Sequence, residues 1–277
     1  MNLFAWISLT LLVIVVGYLL DREIWFYEGV HLGPRVQAWL YDRWAKKYDQ
    51  DKHASQARDD AMLAAPLLDA LKNIPEPFVL DFATGTGRLS FALTNRPDFK
   101  GRILALDLSR GMLEQAASKL TRQLSRVDLL RHPSLPLPFP DASFDAVCAL
   151  EVLELFPTMD VPLAELTRVL RPGGVLLTSR GTEESGRKAK VKSRAEMVGM
   201  LENNNFLSIE ISPWWKLFER VIAIKDGDPE PSPARGLDDI YQCPACKHTE
   251  WKKSPDALKC GHCGKALTIT SEGIVLG

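Results

Sequence analysis

The stretch from Pro77 to Thr94 restricts the possible folds more than any other part of the chain. An apolar run, PFVLDFA, passes without a spacer into Thr84-Gly85-Thr86-Gly87 and then into a helical stretch from Arg88 to Thr94. A buried strand that turns on glycine and re-enters as a helix brings bare backbone N–H groups up to a ligand. Glycine is needed there because a Cβ would block the approach, or because the backbone must take a positive φ. Strand-like and helix-like segments alternate from this point on, which is the pattern of a parallel α/β sheet. The second strand, RILALDL, carries Asp107 at its tip, about 20 residues after the turn. An acid there can accept hydrogen bonds from both hydroxyls of a ribose. A helix N-cap is the competing role for Asp107, but Ser109 fills it equally well.

The chain has 277 residues, enough for one full α/β domain and a small module. Its formal net charge of −1 excludes a global electrostatic pull toward nucleic acid, so any such contact would need a local patch.

Further segments sharpen the reading. VLDFATGTGRLSFAL resembles the first motif of the class I S-adenosylmethionine-dependent methyltransferases, and LALDLSRGMLEQA resembles the stretch after it. LPLPFPDASFDAVCALEVLELF and ELTRVLRPGGVLLTS resemble the fourth- and fifth-strand regions of the branch that modifies quinones, sterols and other small molecules. The resemblance covers about residues 40 to 225. It implies a Rossmann-like, seven-stranded α/β sheet with S-adenosylmethionine across the C-terminal ends of the first two strands, in line with the switch-point rule. Carried over residue by residue, it implies that Asp81, Ala83, Gly85 and Gly87 line the methionine end of the cofactor. Asp107 then takes the ribose, and Leu108 and Met112 flank the adenine. Ala83 stands where the family often has glycine. In RHPSLPLPF the family's acid for the adenine amino group is replaced by Pro133 and Ser134, and Ser134 is the substitute candidate.

Displacement at a sulfonium methyl asks mainly for positioning and exclusion of water. A base is needed only if the acceptor must lose a proton. Glu151, just past the fourth strand, is the candidate, with Glu154 beside it and His31, His53 and His132 more remote. A surface or helix-capping acid is the alternative role for Glu151. Cys148 lies inside an apolar strand and reads as a packed thiol. Ser185 to Arg194 carries five basic residues, which suit a solvated loop, then anionic lipid headgroups, then RNA. Ser193 and Glu196 have capping-box spacing and predict a helix to Asn204, followed by strands at Phe206 to Ile211 and Leu217 to Ile224.

The chain starts with an uncharged run of 18 residues, Leu3 to Leu20. As a helix it reaches roughly 27 Å, close to the hydrocarbon thickness of a bilayer. A membrane anchor is the expectation. The rival, a cleaved signal peptide, lacks its basic n-region and small-residue cleavage site; a buried soluble helix is the third reading. Arg22, Arg35, Arg43, Lys46 and Lys47 follow the run, which predicts a single-pass topology with the body in the cytoplasm. Trp25, Phe26 and Tyr27 fall where aromatic residues favour the headgroup level. Pro34 is placed to open a helix. Val36, Trp39, Leu40 and Trp44 recur at helical spacing and are expected to pack on the next domain, with the membrane surface as the alternative.

At the other end, Cys243-Pro-Ala-Cys246 and Cys260-Gly-His-Cys263 are separated by 13 residues. Two such knuckles place four thiolates on one structural Zn²⁺, leaving His248 and His262 spare. The tail from Cys243 onward resembles the zinc-ribbon activator that pairs with several RNA and protein methyltransferases; EGIVLG matches that family's closing strand, with Val275 in its proline place. The resemblance implies strand addition, here within one chain, or docking of a protein partner. The chain thus divides into an anchor (1–22), an amphipathic lead-in helix (23–50), a methyltransferase domain (51–225), a Pro- and acid-rich linker (226–239) and a zinc ribbon (240–277). The leading expectation is a membrane-anchored enzyme acting on a lipophilic small molecule or lipid. A macromolecule methyltransferase gripping RNA or protein, and a non-catalytic scaffold, are the alternatives. The intact glycine turn and Asp107 argue against the scaffold, and the apolar run with near-neutral charge disfavours nucleic acid.

Overall fold

The structure, a computed structural model, describes residues 3–133, 135–185, 191–229 and 236–277. The uncharged N-terminal run forms α1, Leu3–Trp25, and a 3₁₀ turn at Val30–Leu32 leads into α2, Pro34–Gln56. Pro34 stands in the first turn of α2, where its missing N–H costs nothing. A π-turn at Asp60–Ala64 runs directly into α3, Ala65–Ala70. The alternation then begins: β1 (Phe78–Phe82), α4 (Arg88–Thr94), β2 (Arg102–Asp107), α5 (Arg110–Lys119), β3 (Val127–Arg131), β4 (Phe144–Ala149), α6 (Asp160–Val169) and β5 (Leu170–Gly181). After it come α7 (Arg194–Glu202), β6 (Phe206–Trp215) and β7 (Phe218–Lys225). The tail holds α8 (Leu237–Ile240), β8 (Trp251–Lys253), β9 (Ala257–Cys260), β10 (Ala266–Thr268) and β11 (Ile274–Leu276).

The main sheet has the order β11-β3-β2-β1-β4-β5-β7-β6. β1 to β5 are mutually parallel and β7 runs antiparallel between β5 and β6. Helices cover both faces, so β1 and β4 are buried at every position and read as continuous apolar runs. Successive residues feed opposite cores: Leu80, Leu104 and Val147 pack on one face, and Val79, Ile103 and Cys148 on the other. Cys148 is fully buried, and burial pushes its thiol well above the ordinary range.

Eight strands stand where the sequence predicts seven. The extra one is β11, from the tail, which pairs parallel with β3 in the register Ile274↔Leu129, Val275↔Leu130 and Leu276↔Arg131. Without it β3 would be an edge strand with a row of unpaired backbone groups, which strand addition satisfies. The junction is also packed: Leu237, Ile240 and Tyr241 are buried in the main core. Gln242 N–H donates to Pro138 O at 2.7 Å. The helical turn α8 therefore occupies the end of the expected linker.

Two helices repay comparison with their sequence signals. α7 carries the expected capping box, with Ser193 Oγ accepting from Glu196 N–H and the Glu196 carboxylate accepting from Ser193 N–H. For α2 the apolar stripe is not the most buried face: Val36, Leu40 and Trp44 are half-buried. Trp39 is 53% exposed, while Gln37, Ala38, Ala45 and Ser55 are buried. α2 crosses the start of α5 instead, where Asp42 accepts hydrogen bonds from Ser109 Oγ (2.6 Å) and Gly111 N–H (2.8 Å). A carboxylate at that point also meets the positive end of the α5 dipole. Residues 186–190, which hold three of the five basic residues of that segment, lie outside the described residues.

Candidate active site

The glycine turn is built by hydrogen bonds from behind. Asp81, 4% exposed, accepts from Thr84 Oγ1 at 2.7 Å and Ser90 Oγ at 2.6 Å, which ties the end of β1 to the first turn of α4. Ala83, Gly85 and Gly87 all have positive φ, at 55°, 56° and 75°. Gly85 faces open space: a Cβ built there meets nothing within 4 Å. Gly87 serves packing, since a Cβ there would come within 3.2 Å of Ala116 on α5. Asp81 and Gly87 thus shape the turn from behind and do not line the cavity in front of it.

That cavity has a volume of about 630 Å³ and lies at the C-terminal ends of β1, β2 and β4. Of the residues singled out in the sequence, Ala83, Gly85, Asp107, Leu108, Met112 and Glu151 line it. Ser134 lies outside the described residues. Asp107 is 7% exposed and accepts from Gly85 N–H and Ser109 N–H, both at 2.8 Å. Burial is the chief cause that pushes its carboxyl up to about 6, against the opposing hydrogen bonds from Ser109 and Gly85. Leu108 and Met112 add apolar walls beside it. One buried carboxylate, apolar flanks and a turn without a Cβ suit a nucleoside with a charged tail.

The cavity continues away from the turn, and here sequence reasoning missed most of the lining. His31, Gln37, Tyr41 and Tyr48 close one side from α2 and the turn before it. Leu150, Val152, Leu155 and Phe156 close the other. His31 and His132, read as remote, both stand in the wall. The signal for the α2 contribution was the repeat Gln37, Tyr41, Ala45, Tyr48, which is amphipathic only if tyrosine and glutamine count as inward-facing. Tyr41 donates to the Glu28 carboxylate. Burial pushes both tyrosines up, well above the ordinary phenol range for Tyr41, so they remain hydrogen-bond donors at physiological pH.

Glu151 sits at the tip of β4 with φ 54°, a conformation that costs energy for a residue with a side chain. Its N–H donates to Ser179 Oγ at 2.7 Å. Its two carboxylate oxygens meet Arg88 Nη1 at 3.0 Å and Lys52 Nζ at 2.9 Å. Arg88 also makes a two-pronged contact with Asp59, at 2.6 and 2.8 Å, and lies 4.9 Å from the centre of the Trp214 ring. Although burial opposes its charge, Asp59 and Glu151 hold Arg88 protonated. The network joins α2, α4 and the β4 tip around the cavity.

In the tail, the four cysteine sulfurs lie within 4.8 Å of one another, with Cys243 to Cys263 and Cys246 to Cys260 at 3.6 Å. Tetrahedral thiolates at about 2.3 Å from zinc stand about 3.8 Å apart, so the donor set fits that ion. Each knuckle is turned by a residue of positive φ after its second cysteine, Lys247 in one and Gly264 in the other. His248 and His262 stack on each other at 3.7 Å instead of joining the cluster.

The family described as "Methyltransferase domain" matches residues 79–174. The chain is 33% identical over 142 residues to a demethylmenaquinone methyltransferase of Bacillus licheniformis, covering 49% of this chain and 58% of that one. It is 34% identical over 172 residues to human methyltransferase-like protein 27, covering 59% of this chain and 67% of the relative. The chain thus spans somewhat over half to two thirds of the length of these curated relatives. Among solved structures, an S-adenosylmethionine-dependent methyltransferase from Aquifex aeolicus superposes with a TM-score of 0.54 at 22% identity, over 66% of this chain and 97% of that one. A second from Methanococcus maripaludis, titled as putative, gives 0.54 at 21% identity, over 68% and 94%. At these identities the two structures speak to the fold alone.

Proposed function

The chain belongs to the S-adenosylmethionine-dependent methyltransferases, and on that premise we propose that it methylates a lipophilic small molecule at a membrane. One observation carries the reading: the cavity beside Gly85 and Asp107 runs on into an apolar chamber walled by Leu150, Val152, Leu155 and Phe156. A chamber of this kind suits an apolar acceptor with few polar groups. The name of the Bacillus relative, which specifies a quinone precursor, supports the same class of acceptor.

In this reading Asp107 receives the ribose hydroxyls, and the space in front of Gly85 takes the methionine portion. Leu108 and Met112 flank the adenine. When bound, S-adenosylmethionine supplies an electrophilic methyl on a sulfonium. α2 closes the far side of the chamber and keeps water out, which strengthens every electrostatic contact within it. Tyr48 offers a phenol donor to an oxygen of the acceptor, while Tyr41 gives its proton to the Glu28 carboxylate. Glu151, with both oxygens on cations, holds α2 against the β4 tip, a positioning role. Zn²⁺ on Cys243, Cys246, Cys260 and Cys263 organises the ribbon that presents β11.

Calorimetry tests the cofactor site. Wild type should bind S-adenosylmethionine and its demethylated product. Asp107→Ala should weaken both about ten- to a hundredfold, the loss of a charge-assisted hydrogen bond of roughly 1.5–3 kcal/mol. Asp145→Ala is the contrast. Asp145 is fully buried, bonds Phe78 N–H and Arg171, and should affect melting more than binding. The same titrations should show a pH dependence. The ionised form of Asp107 is the better ribose acceptor and its carboxyl sits at about 6, so affinity should hold above pH 7 and fall as pH drops through 6. Undetectable binding by wild type at millimolar ligand would remove the enzyme reading.

The membrane part of the proposal rests on α1. Among the described residues it is the one helix long and apolar enough to cross a bilayer, and none of that span is buried against the rest of the protein. Full-length protein should pellet with membranes and stay there through a high-salt wash. Recovery in the supernatant would remove the anchor and leave the cofactor site untouched.

A further inference from the structure

Beyond α1, five large apolar side chains stand open among the described residues: Leu32, Trp39, Phe91, Val161 and Leu207. Two of them crowd the mouth of the cavity. Val161 lines it and is 60% exposed; Leu32 is 43% exposed and sits between the lining residues His31 and Gly33. Trp39 follows on the same chain segment, with the Arg43 guanidinium 5.0 Å from its ring centre. Open apolar residues gathered at the rim of a pocket mark a surface that meets something other than water.

What it meets follows from what the rim is joined to. α1 ends at Trp25 and the rim begins at Val30. The junction between them is stiff. The Glu23 carboxylate accepts from His31 N–H at 2.8 Å and meets His31 Nδ1 at 2.9 Å. Gly29 N–H donates to Glu23 O at 3.0 Å, and Arg22 donates to the Tyr27 hydroxyl at 2.8 Å. The last turn of α1 and the rim therefore form one hydrogen-bonded corner. With α1 across a bilayer, its end lies at the headgroup level, and so does the rim. Exposed cations on α2, Arg35, Arg43 and Lys46, suit anionic headgroups at the same level.

We propose that the cavity opens onto the bilayer and not onto water. Leu32, Trp39 and Val161 seat in the headgroup layer, and an acceptor dissolved in the membrane reaches the chamber sideways, between the Val30–Pro34 segment and the start of α6. This rests on the anchored methyltransferase reading above and adds the route and the source of the acceptor.

Photocrosslinking of the full chain tests it. Benzoylphenylalanine is placed singly at Leu12, Leu32, Val161 or Leu207, and the protein is reconstituted in vesicles of phosphatidylcholine and phosphatidylglycerol. Leu12 reports on α1, and Leu207, 55% exposed on β6, is the apolar control away from the rim. After irradiation, intact-protein mass should show a phospholipid adduct at positions 12, 32 and 161 and none at 207. Adducts at 12 without adducts at 32 and 161 overturn the portal and leave the anchor standing. No adduct at 12 overturns the anchor and the portal with it, while cofactor binding by the same sample still reports on the methyltransferase reading. A crosslink from 32 or 161 to a second copy of the chain, or equal adducts at 207, also overturns the portal.

Discussion

A chain with both Cys243 and Cys260 replaced by serine should contain no zinc, against one ion per wild-type chain, and should lose its ribbon fold outright. Structural zinc contributes an apparent 10–16 kcal/mol or so in modules of this kind, and a tail of this size buries too little to fold without it. The loss should spread. β11 is held at β3 by the turn from Thr270 to Ile274 and by packing of Ile269 and Val275 in the main core. Without the ribbon, β3 becomes an open edge. Hydrogen exchange should then rise along Val127–Arg131, next to His132 and Pro133 in the cavity wall. Elemental analysis gives the first result and exchange mass spectrometry the second. Zinc retained by the double variant, or unchanged protection along β3, would contradict the arrangement.

Arg88→Met should be the most damaging single change near the cavity. The side chains of Arg88, Asp59 and Glu151 are 9%, 6% and 9% exposed, so solvent cannot replace the missing cation. Removing one partner of a buried ion pair costs about 3–5 kcal/mol, largely from the charge left behind. For a protein of this size that lowers the melting temperature by about 10 °C. Adding Asp59→Asn and Glu151→Gln to the same chain removes the orphaned charges and should recover a good part of the loss. A melting temperature within about 2 °C of wild type for Arg88→Met would show that the network is ornamental.

The alternation from β1 to β5 was legible because β1, β2, β4 and β5 are apolar runs set among the helices α4, α5 and α6, and the seven-stranded sheet followed from the family resemblance of those segments. The glycine turn was legible because Gly85 and Gly87 are required by backbone shape. β11 is three residues long and its partner β3 lies far away in the chain, so no local pattern marks it, and its place at the sheet edge was legible only through the tail's resemblance to the zinc-ribbon activator. Two things were not legible. The inward face of α2 is made of Gln37, Tyr41 and Tyr48, polar enough to lose to the Trp39 and Trp44 stripe in any count of apolar periodicity. Arg88 looked like the opening residue of a helix, and only the fold brings Asp59 and Glu151 to it. The four cysteines were plain from spacing alone, since a tetrahedral thiolate site tolerates little variation within each knuckle.

The pairing of β11 with β3 also has a consequence for mass action. Strand and edge belong to one chain, joined through a short Pro- and acid-rich connector, so their encounter is unimolecular. A tether of this kind holds the strand at an effective concentration on the order of millimolar. Dilution therefore leaves the edge covered, and a free ribbon of equal intrinsic affinity would have to approach millimolar concentration to compete for it. A two-chain version of the same contact would come apart below its dissociation constant. Here, occupancy of the edge depends on the integrity of the connector and is independent of protein concentration.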